Sequence, residues 1–207
     1  MPTFPTATAP RAASDLILPG ALKEVSHSGI YQVRATLAAG WSFEFEYGIL
    51  TTFTPDDMAI MSFINQAWNR GISFDITHPT MPGSGVAPNG LGTAGVRVKG
   101  PSQTGASVII DGYENSISNV IRAGDLLKIA ADDGVYQCWE DAGSDGTGAA
   151  TVSITPNLRM SPANDAAVTL TAVTFKVILL GRSRFAGSRA PYGFSGAKAL
   201  FSEFLNT

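Results

Sequence analysis

The sequence predicts a mainly β fold, an antiparallel β-sandwich or barrel with one flanking α-helix at about residues 54–70 and a small β insertion. Three observations carry this expectation. Residues 41–47, WSFEFEY, alternate aromatic and polar side chains, which puts Trp41, Phe43, Phe45 and Tyr47 on one face of a strand and Ser42, Glu44 and Glu46 on the other. Residues 54–71 have helical spacing with a start signal at one end and a stop signal at the other. From residue 106 onward, short apolar runs are separated by Asp133–Gly134 and Ser144–Asp145–Gly146, which favour hairpin turns.

Residues 1–29 carry Pro2, Pro5, Pro10 and Pro19 among small residues. Proline fixes φ and removes a donor, so an extended N-terminal arm is expected, with Ile17, Leu18 and Leu22 available for docking. Residues 30–37 and 41–47 read as strands joined at Gly40. Thr54 is placed to cap the helix, Pro55 occupies its favoured first position, and Asp56 and Asp57 complement the positive end of the dipole. Met61, Ile64, Ala67 and Trp68 form an apolar stripe that Ile60 and Phe63 widen; Arg70 and Gly71 supply the stop. Burying Ile64 or Trp68 against a sheet is expected to contribute about 1.5–3 kcal/mol each. Residues 72–76 resume strand alternation.

Residues 79–106 read as a Gly- and Pro-punctuated loop, with a short strand at Val96 and Val98. Further strands are expected at 107–111, 125–131, 135–140, 149–155 and 168–180. The resulting division is an arm (1–29), a sheet-plus-helix core unit with its loop (30–105), a β-hairpin insertion (106–165), a closing core strand (166–181) and a C-terminal arm (182–207). The last holds Arg182, Arg184, Arg189 and Lys198, and an apolar patch of Leu200, Phe201, Phe204 and Leu205.

The chain has 207 residues, of which 44% are hydrophobic and 15% charged, with a formal net charge of −3. That suffices for a sizeable core. The charged fraction is well below the usual share of about 25%, which suggests a surface covered by other subunits. The charge balance does not point to nucleic acid or an anionic membrane, and no apolar run approaches the ~18 residues that span a bilayer. Cys138, the single cysteine, leaves no intrachain disulfide, and its strand-like flanks favour a packed thiol.

No phosphate loop, dinucleotide fingerprint or zincin helix is present. Residues 193–197, GFSGA, resemble a nucleophile elbow only loosely, with glycine misplaced and no strand immediately before it. His27 and His78 lack partners at motif spacing. Asp141, Gly143, Asp145 and Gly146 form a damaged calcium-loop pattern in which Gly143 replaces a ligand and Val152 stands where the bidentate Glu belongs, so a hairpin turn is expected there. No catalytic, cofactor-binding or metal-binding residue is assigned, and neither enzymatic activity nor a cofactor is expected.

In order, the chain presents a Trp-bearing strand (Trp41), an amphipathic helix ending in glycine (Met58–Gly71) and an aromatic strand closing on proline (Phe74–Pro79). A Gly-rich stretch follows, then Arg122-Ala123-Gly124-Asp125-Leu126-Leu127-Lys128-Ile129 running into Val135-Tyr136-Gln137. Ser144-Asp145-Gly146 leads an Ala/Thr-rich strand, and Pro156-Asn157-Leu158-Arg159-Met160-Ser161-Pro162 is the most specific segment. Over about residues 30–180 this order resembles the minor or distal tail proteins of long-tailed, siphovirus-type bacteriophages. The Pro-rich front arm and the tail after Leu180 depart from that pattern.

The resemblance implies a structural virion component of the tail tip or baseplate. It would be a homo-oligomeric ring, hexamer or trimer, linking the tail tube protein to baseplate hub proteins and made in the bacterial host cytoplasm. It implies no catalytic residues; that no nucleic-acid or membrane partner is expected follows from the charge balance and the apolar runs above. The bottom-up reading agrees: a sparsely charged sheet–helix unit with two arms suits heterologous contacts that close into a ring. Candidate core and interface residues are Trp41, Phe43, Phe45, Met61, Ile64, Trp68, Arg182, Arg184, Phe201 and Phe204. The alternative is a carbohydrate or host-surface binding module, with Tyr47, Tyr113, Trp139 and Tyr192 as candidate stacking platforms.

Overall fold

The computed structural model describes residues 2–14, 22–25, 31–34, 40–51, 53–92, 95–180, 189–190, 193–195 and 197–204. The architecture is mainly antiparallel β with a single helix among these residues. The strands are β1 (Ala12–Ala13), β2 (Leu22–Val25), β3 (Tyr31–Arg34), β4 (Ser42–Glu46) and β5 (Ile49–Thr51). Helix α1 (Pro55–Arg70) follows, then β6 (Phe74–Ile76), β7 (Arg97–Val98), β8 (Ser107–Asp111), β9 (Leu126–Ile129), β10 (Val135–Cys138), β11 (Ala150–Thr155) and β12 (Val168–Thr169). The chain closes with β13 (Phe175–Leu180), β14 (Arg189–Ala190), β15 (Gly193–Ser195) and β16 (Lys198–Glu203).

Five strands form an open sheet in the order β1-β4-β16-β13-β6. The alternation read from residues 41–47 holds: Trp41, Phe43, Phe45 and Tyr47 are buried, and the residues between them are partly exposed. Strand β16, in the stretch expected to be a C-terminal arm, is instead the central strand, flanked by β4 and β13. The reason is again a period of two: Ala199, Phe201 and Glu203 point inward, and Lys198 and Leu200 point out. The run 168–180, read as one strand, divides in two. Ala172 takes a positive φ of 52°, a conformation that costs an L-residue and breaks a ladder. Val168–Thr169 and Phe175–Leu180 therefore go to different sheets.

Helix α1 lies on the inner face, with Asp57, Ile60, Met61, Ile64 and Ala67 buried. Gly71 ends it in the left-handed region at φ 57°, ψ 34°, where glycine carries no Cβ penalty. Thr54 occupies the N-cap position but makes no side-chain cap bond; its hydroxyl pairs with that of Thr51 at 2.8 Å. Trp68 corrects the expected stripe. It sits in the last turn beyond Ala67, the final buried position, and is 43% exposed.

Strands β6 and β13 are antiparallel neighbours, with Ile76 opposite Phe175. All of 77–174 is thus one excursion from the end of a single strand pair. Within it, six strands run in the order β12-β9-β10-β11-β8-β7. Arg97 bridges Ala167, and Val98 N–H donates to the Ala166 carbonyl at 2.9 Å while Val168 N–H donates to that of Val96 at 2.9 Å. These bonds bring the two edge strands together and nearly close a small barrel. The barrel draws on Arg97–Val98 and Val168–Thr169 as well as on the expected insertion 106–165. Its interior is aliphatic, built from Val98, Val108, Ile110, Leu127, Ile129, Val152 and Ile154 around Tyr136 and Cys138. The damaged calcium-loop segment is a turn: Asp145 accepts from Thr147 N–H at 2.7 Å and Ala149 N–H at 3.0 Å.

Candidate functional site

The sheet and the barrel share a wall. Along β9 and β10 the side chains alternate between two cores: Leu126 and Val135 join the sheet's aromatic core, and Leu127, Ile129, Tyr136 and Cys138 join the barrel's. At the centre of the wall stands Glu203, whose side chain is fully buried. Its carboxylate accepts from Trp41 N–H at 3.1 Å, Val135 N–H at 2.7 Å and Arg159 Nη2 at 2.9 Å. The Trp41 indole N–H donates to the Val135 carbonyl at 2.8 Å. Burial pushes the Glu203 carboxyl up from its ordinary range, against the opposing pull of Arg159 and of the Val135 and Trp41 amides. Arg159 and two backbone amides thus supply three donors to those oxygens.

Arg159 comes from the barrel and Glu203 from the central strand of the sheet, so their ion pair ties the two bodies together. The Arg159 guanidinium also lies over the Tyr136 ring, 5.2 Å from its centroid, and Arg159 N–H donates to the Tyr136 hydroxyl at 3.1 Å. The same hydroxyl donates to Asp132. Gly134 makes room for the arrangement, because a Cβ there would fall 1.5 Å from Arg159 Nη1. Lys176 from β13 reaches Asp133 at 2.7 Å and lies over the Phe204 ring, and Lys128 donates to the Thr174 carbonyl at 3.1 Å. These contacts set the barrel's angle on the sheet.

The second feature is the N-terminal arm, which closes both edges of its own sheet. At the β6 edge, Phe4 N–H donates to the Asp75 carbonyl at 3.1 Å and Asp75 N–H to that of Pro2 at 3.2 Å. Phe4 is buried, with ring centroids 5.4, 5.9 and 5.7 Å from Phe63, Phe74 and Phe201. The Thr8 hydroxyl then donates to Asp57 at 2.8 Å. At the opposite edge, Ala12 and Ala13 pair with Glu46 and Phe45. The Ser14 hydroxyl accepts from Glu44 N–H at 2.8 Å, and the Ser14 carbonyl lies 2.9 Å from Nε2 of the buried His78. A sheet edge is a row of unpaired donors and acceptors that recruits other strands; here thirteen residues of the same chain cover parts of both edges.

Of the ten candidate core and interface residues, Trp41, Phe43, Phe45, Met61, Ile64 and Phe201 are buried in the sheet's core. Phe204 is partly exposed beneath Lys176, and Trp68 is on the surface. Arg182 and Arg184 lie outside the described residues. Sequence reasoning passed over Glu203 and Phe4, and gave Arg159 and Asp57 no part in the contacts they make here. The signal for Glu203 was present: an acidic residue at the inward phase of an alternating strand marks a buried charge that needs partners.

Apolar surface is exposed on both sides of the sheet. On the helix side, residues 58, 59, 62, 65, 66, 68 and 69 form an exposed face that is uncharged between Asp56 and Arg70, with Met58 45% and Trp68 43% exposed. On the outer face, Leu180 sits opposite Leu200 in register, and both are partly exposed. Beside them Lys198 is paired to Glu44 at 2.9 Å and Glu46 at 3.2 Å. On the barrel, Trp139 is 63% exposed, and an open depression of about 550 Å³ is lined by Lys99, Ile109, Gly143, Asp145, Ala149 and Thr151.

Cys138 is buried, and burial together with Asp125 pushes its thiol far up, so it is a packed, unreactive group. Asp125 itself accepts from the N–H groups of Asn89, Gly90 and Arg122 at 2.6, 2.9 and 2.9 Å. The aspartate of the Arg-Ala-Gly-Asp segment thus pins the loop leading into the barrel. Gly193–Ser195 forms β15 beside β5, which is not the strand-to-helix turn of a nucleophile elbow. Among the described residues, no group of three or more His, Cys, Asp or Glu is placed to hold a metal ion, and no helix is long and apolar enough to cross a membrane. No family model matches the chain, and no curated protein matches it in sequence.

Proposed function

We propose that the protein is a structural subunit of a phage tail tip or baseplate, a ring-forming distal tail protein that joins the tail tube to the baseplate hub and performs no catalysis. The observation that carries the reading is the pair of dissimilar faces on opposite sides of one sheet: the uncharged helix face with Trp68, and the outer sheet face, where Leu180 and Leu200 lie beside the ion-paired Lys198, Glu44 and Glu46. Two unlike patches on one subunit support a heterologous contact, and such contacts close into rings when the rotation permits. The Glu203–Arg159 junction would fix the barrel at a constant angle around such a ring. Obligate contacts of this kind bury about 2,000–5,000 Å² and are apolar, which fits a chain with few surface charges. The order of motifs over residues 30–180 adds support.

The test is native mass spectrometry with negative-stain microscopy of the purified protein. A trimeric or hexameric mass with annular particles is the expected result. A monomer at every concentration, with no annulus when tail tube protein is supplied, would remove the reading.

One observation favours a second reading: Trp139, exposed on the barrel, offers an aromatic face on which a sugar ring can stack, and the barrel also carries a depression lined in part by Lys99, Asp145 and Thr151. Glycan-array binding that disappears in Trp139→Ala is the result that would establish a carbohydrate or host-surface binding module.

A further inference from the structure

The arm's contacts have an uneven distribution. Residues 2–4 and 11–14 hold the two opposite edges of the sheet, and between them the Thr8 hydroxyl is tied to Asp57 by a hydrogen bond. Each footing is short: a single bridge from Thr3 to Asp75 at one edge and the two-residue strand β1 at the other. Pro2, Pro5 and Pro10 offer no amide donor, which limits how far either ladder can extend. Phe4 is buried in the core, and Ala13 packs partly buried against it. An arm held this way can leave without dismantling the strands it covers, and its departure would bare hydrogen-bonding edges at β4 and β6.

The fold identifies the ligand for those edges, which is residues 2–14 of this sequence. Every further copy carries the same segment and the same receiving sites. Exchange of an identical element between protomers keeps every contact and adds a physical link, a low-cost route to assembly. The connection from Ser14 to Leu22 reaches up to about 25 Å when extended.

We propose that in the assembled ring residues 2–14 are exchanged, so that each copy's arm seats Phe4 among a neighbour's Phe63, Phe74 and Phe201 and pairs Ala12–Ala13 with that neighbour's β4. The proposal rests on the ring reading above and specifies what locks the ring. The folded single chain is then the form before assembly, with its edges protected from indiscriminate pairing.

The double variant Ala12→Cys/Glu46→Cys tests it. These residues are directly opposed in an antiparallel pair, where Cα atoms lie about 4.5–5.5 Å apart, within the range a disulfide spans. Cys138 is buried and does not compete. The assembled protein is oxidised and run on a denaturing gel without reductant. Exchange predicts loss of the single-chain band to a ladder reaching the ring number. A particle of ring mass that yields only internally linked single chains overturns exchange and leaves the ring reading standing. A monomeric native mass overturns both. Thr3→Cys/Asp75→Cys, at the other edge, repeats the test should the first variant disturb β4, and the same ladder is required.

Discussion

The sheet-with-helix and the barrel solve one problem in opposite ways. The barrel brings its two edge strands together and so nearly removes its edges. It does this with residues 97–169, strands close in sequence and an aliphatic interior. The sheet stays open and gathers strands from Ala12–Ala13, Ser42–Glu46, Phe74–Ile76, Phe175–Leu180 and Lys198–Glu203, almost the full length of the chain. Its core is aromatic, and it needs the N-terminal arm to cover its edges. A unit with short-range pairing gains its contacts early, whereas one with long-range pairing must first meet the entropy of closing large loops. Contact separation predicts that the barrel folds as a local unit on a neck that emerges from one strand pair and that the sheet is completed last, when β16 enters its centre.

The most forceful way to break this comparison is to cut the tie between the two regions. Glu203→Ala leaves Arg159 without its buried carboxylate and deprives the Trp41 and Val135 amides of an acceptor. Losing one partner of a buried pair costs about 3–5 kcal/mol. Calorimetry is expected to resolve two transitions where the parent shows one, with the barrel melting at the higher temperature. A single transition at the parent temperature would show that the shared apolar wall alone couples the bodies.

A change confined to the sheet sharpens the contrast. Phe4→Ala empties a site among three aromatic rings and costs about 3–5 kcal/mol. Amide exchange is expected to quicken at Phe4, Ser14, Glu44 and Asp75, where the arm exchanges hydrogen bonds with the sheet. Barrel amides such as Val98 and Val168 keep their protection. Equal loss in both regions would refute independent edge closure.

The helix offers a smaller, paired test. Ile64 is buried and Trp68 is not. Ile64→Ala is expected to cost about 2–4 kcal/mol through cavity formation, whereas Trp68→Ala is expected to cost about 1 kcal/mol or less in denaturant unfolding. Under the proposed function the ranking reverses for assembly: Trp68→Ala lowers the ring population in native mass spectrometry while the subunit stays folded. If Trp68→Ala matched Ile64→Ala in stability and left assembly unchanged, the helix face would be ordinary surface.

These contrasts explain what was readable in advance. Period-two alternation exposed β4, and cap and stop residues exposed α1, because both signals lie within a few residues of one another. The inward carboxylate at Glu203 was passed over because its donors, Trp41, Val135 and Arg159, are scattered along the chain. Strand β16 looked like tail because Leu200–Phe201 and Phe204 group as an apolar cluster, which hides the alternation of Ala199, Phe201 and Glu203. Trp68 lies at the correct helical angle, but sequence spacing carries no information on where along the axis the covering sheet ends. The closure of the sheet by Phe4 left no periodic trace, since a single aromatic residue between prolines has no pattern to join.

Acid gives the mildest distinction, because each region has one carboxylate held below its ordinary range. At Asp57 burial pushes the pKa up, but the Thr51 amide and the Thr8 and Thr51 hydroxyls outweigh it and leave the net shift downward. At Asp145 the Thr147 hydroxyl and the Ala149 and Thr147 amides lower the pKa to about 2. A carboxylate with a depressed pKa stabilises the fold fully above its ordinary value of about 3.9, and loses that contribution as pH falls through the folded-state value. Both contributions are therefore constant from pH 5 to 8. At pH 3 Asp145 is expected to stay ionised, so Thr147 and Ala149 should retain slow amide exchange and lose it only toward pH 2. Asp57→Asn should weaken the Thr8 tie at neutral pH and flatten the acid response of the arm, with the barrel turn unaffected. Loss of the barrel turn's protection by pH 3 would mean that its hydrogen bonds do not hold Asp145 ionised, and the two carboxylates would no longer report on separate regions.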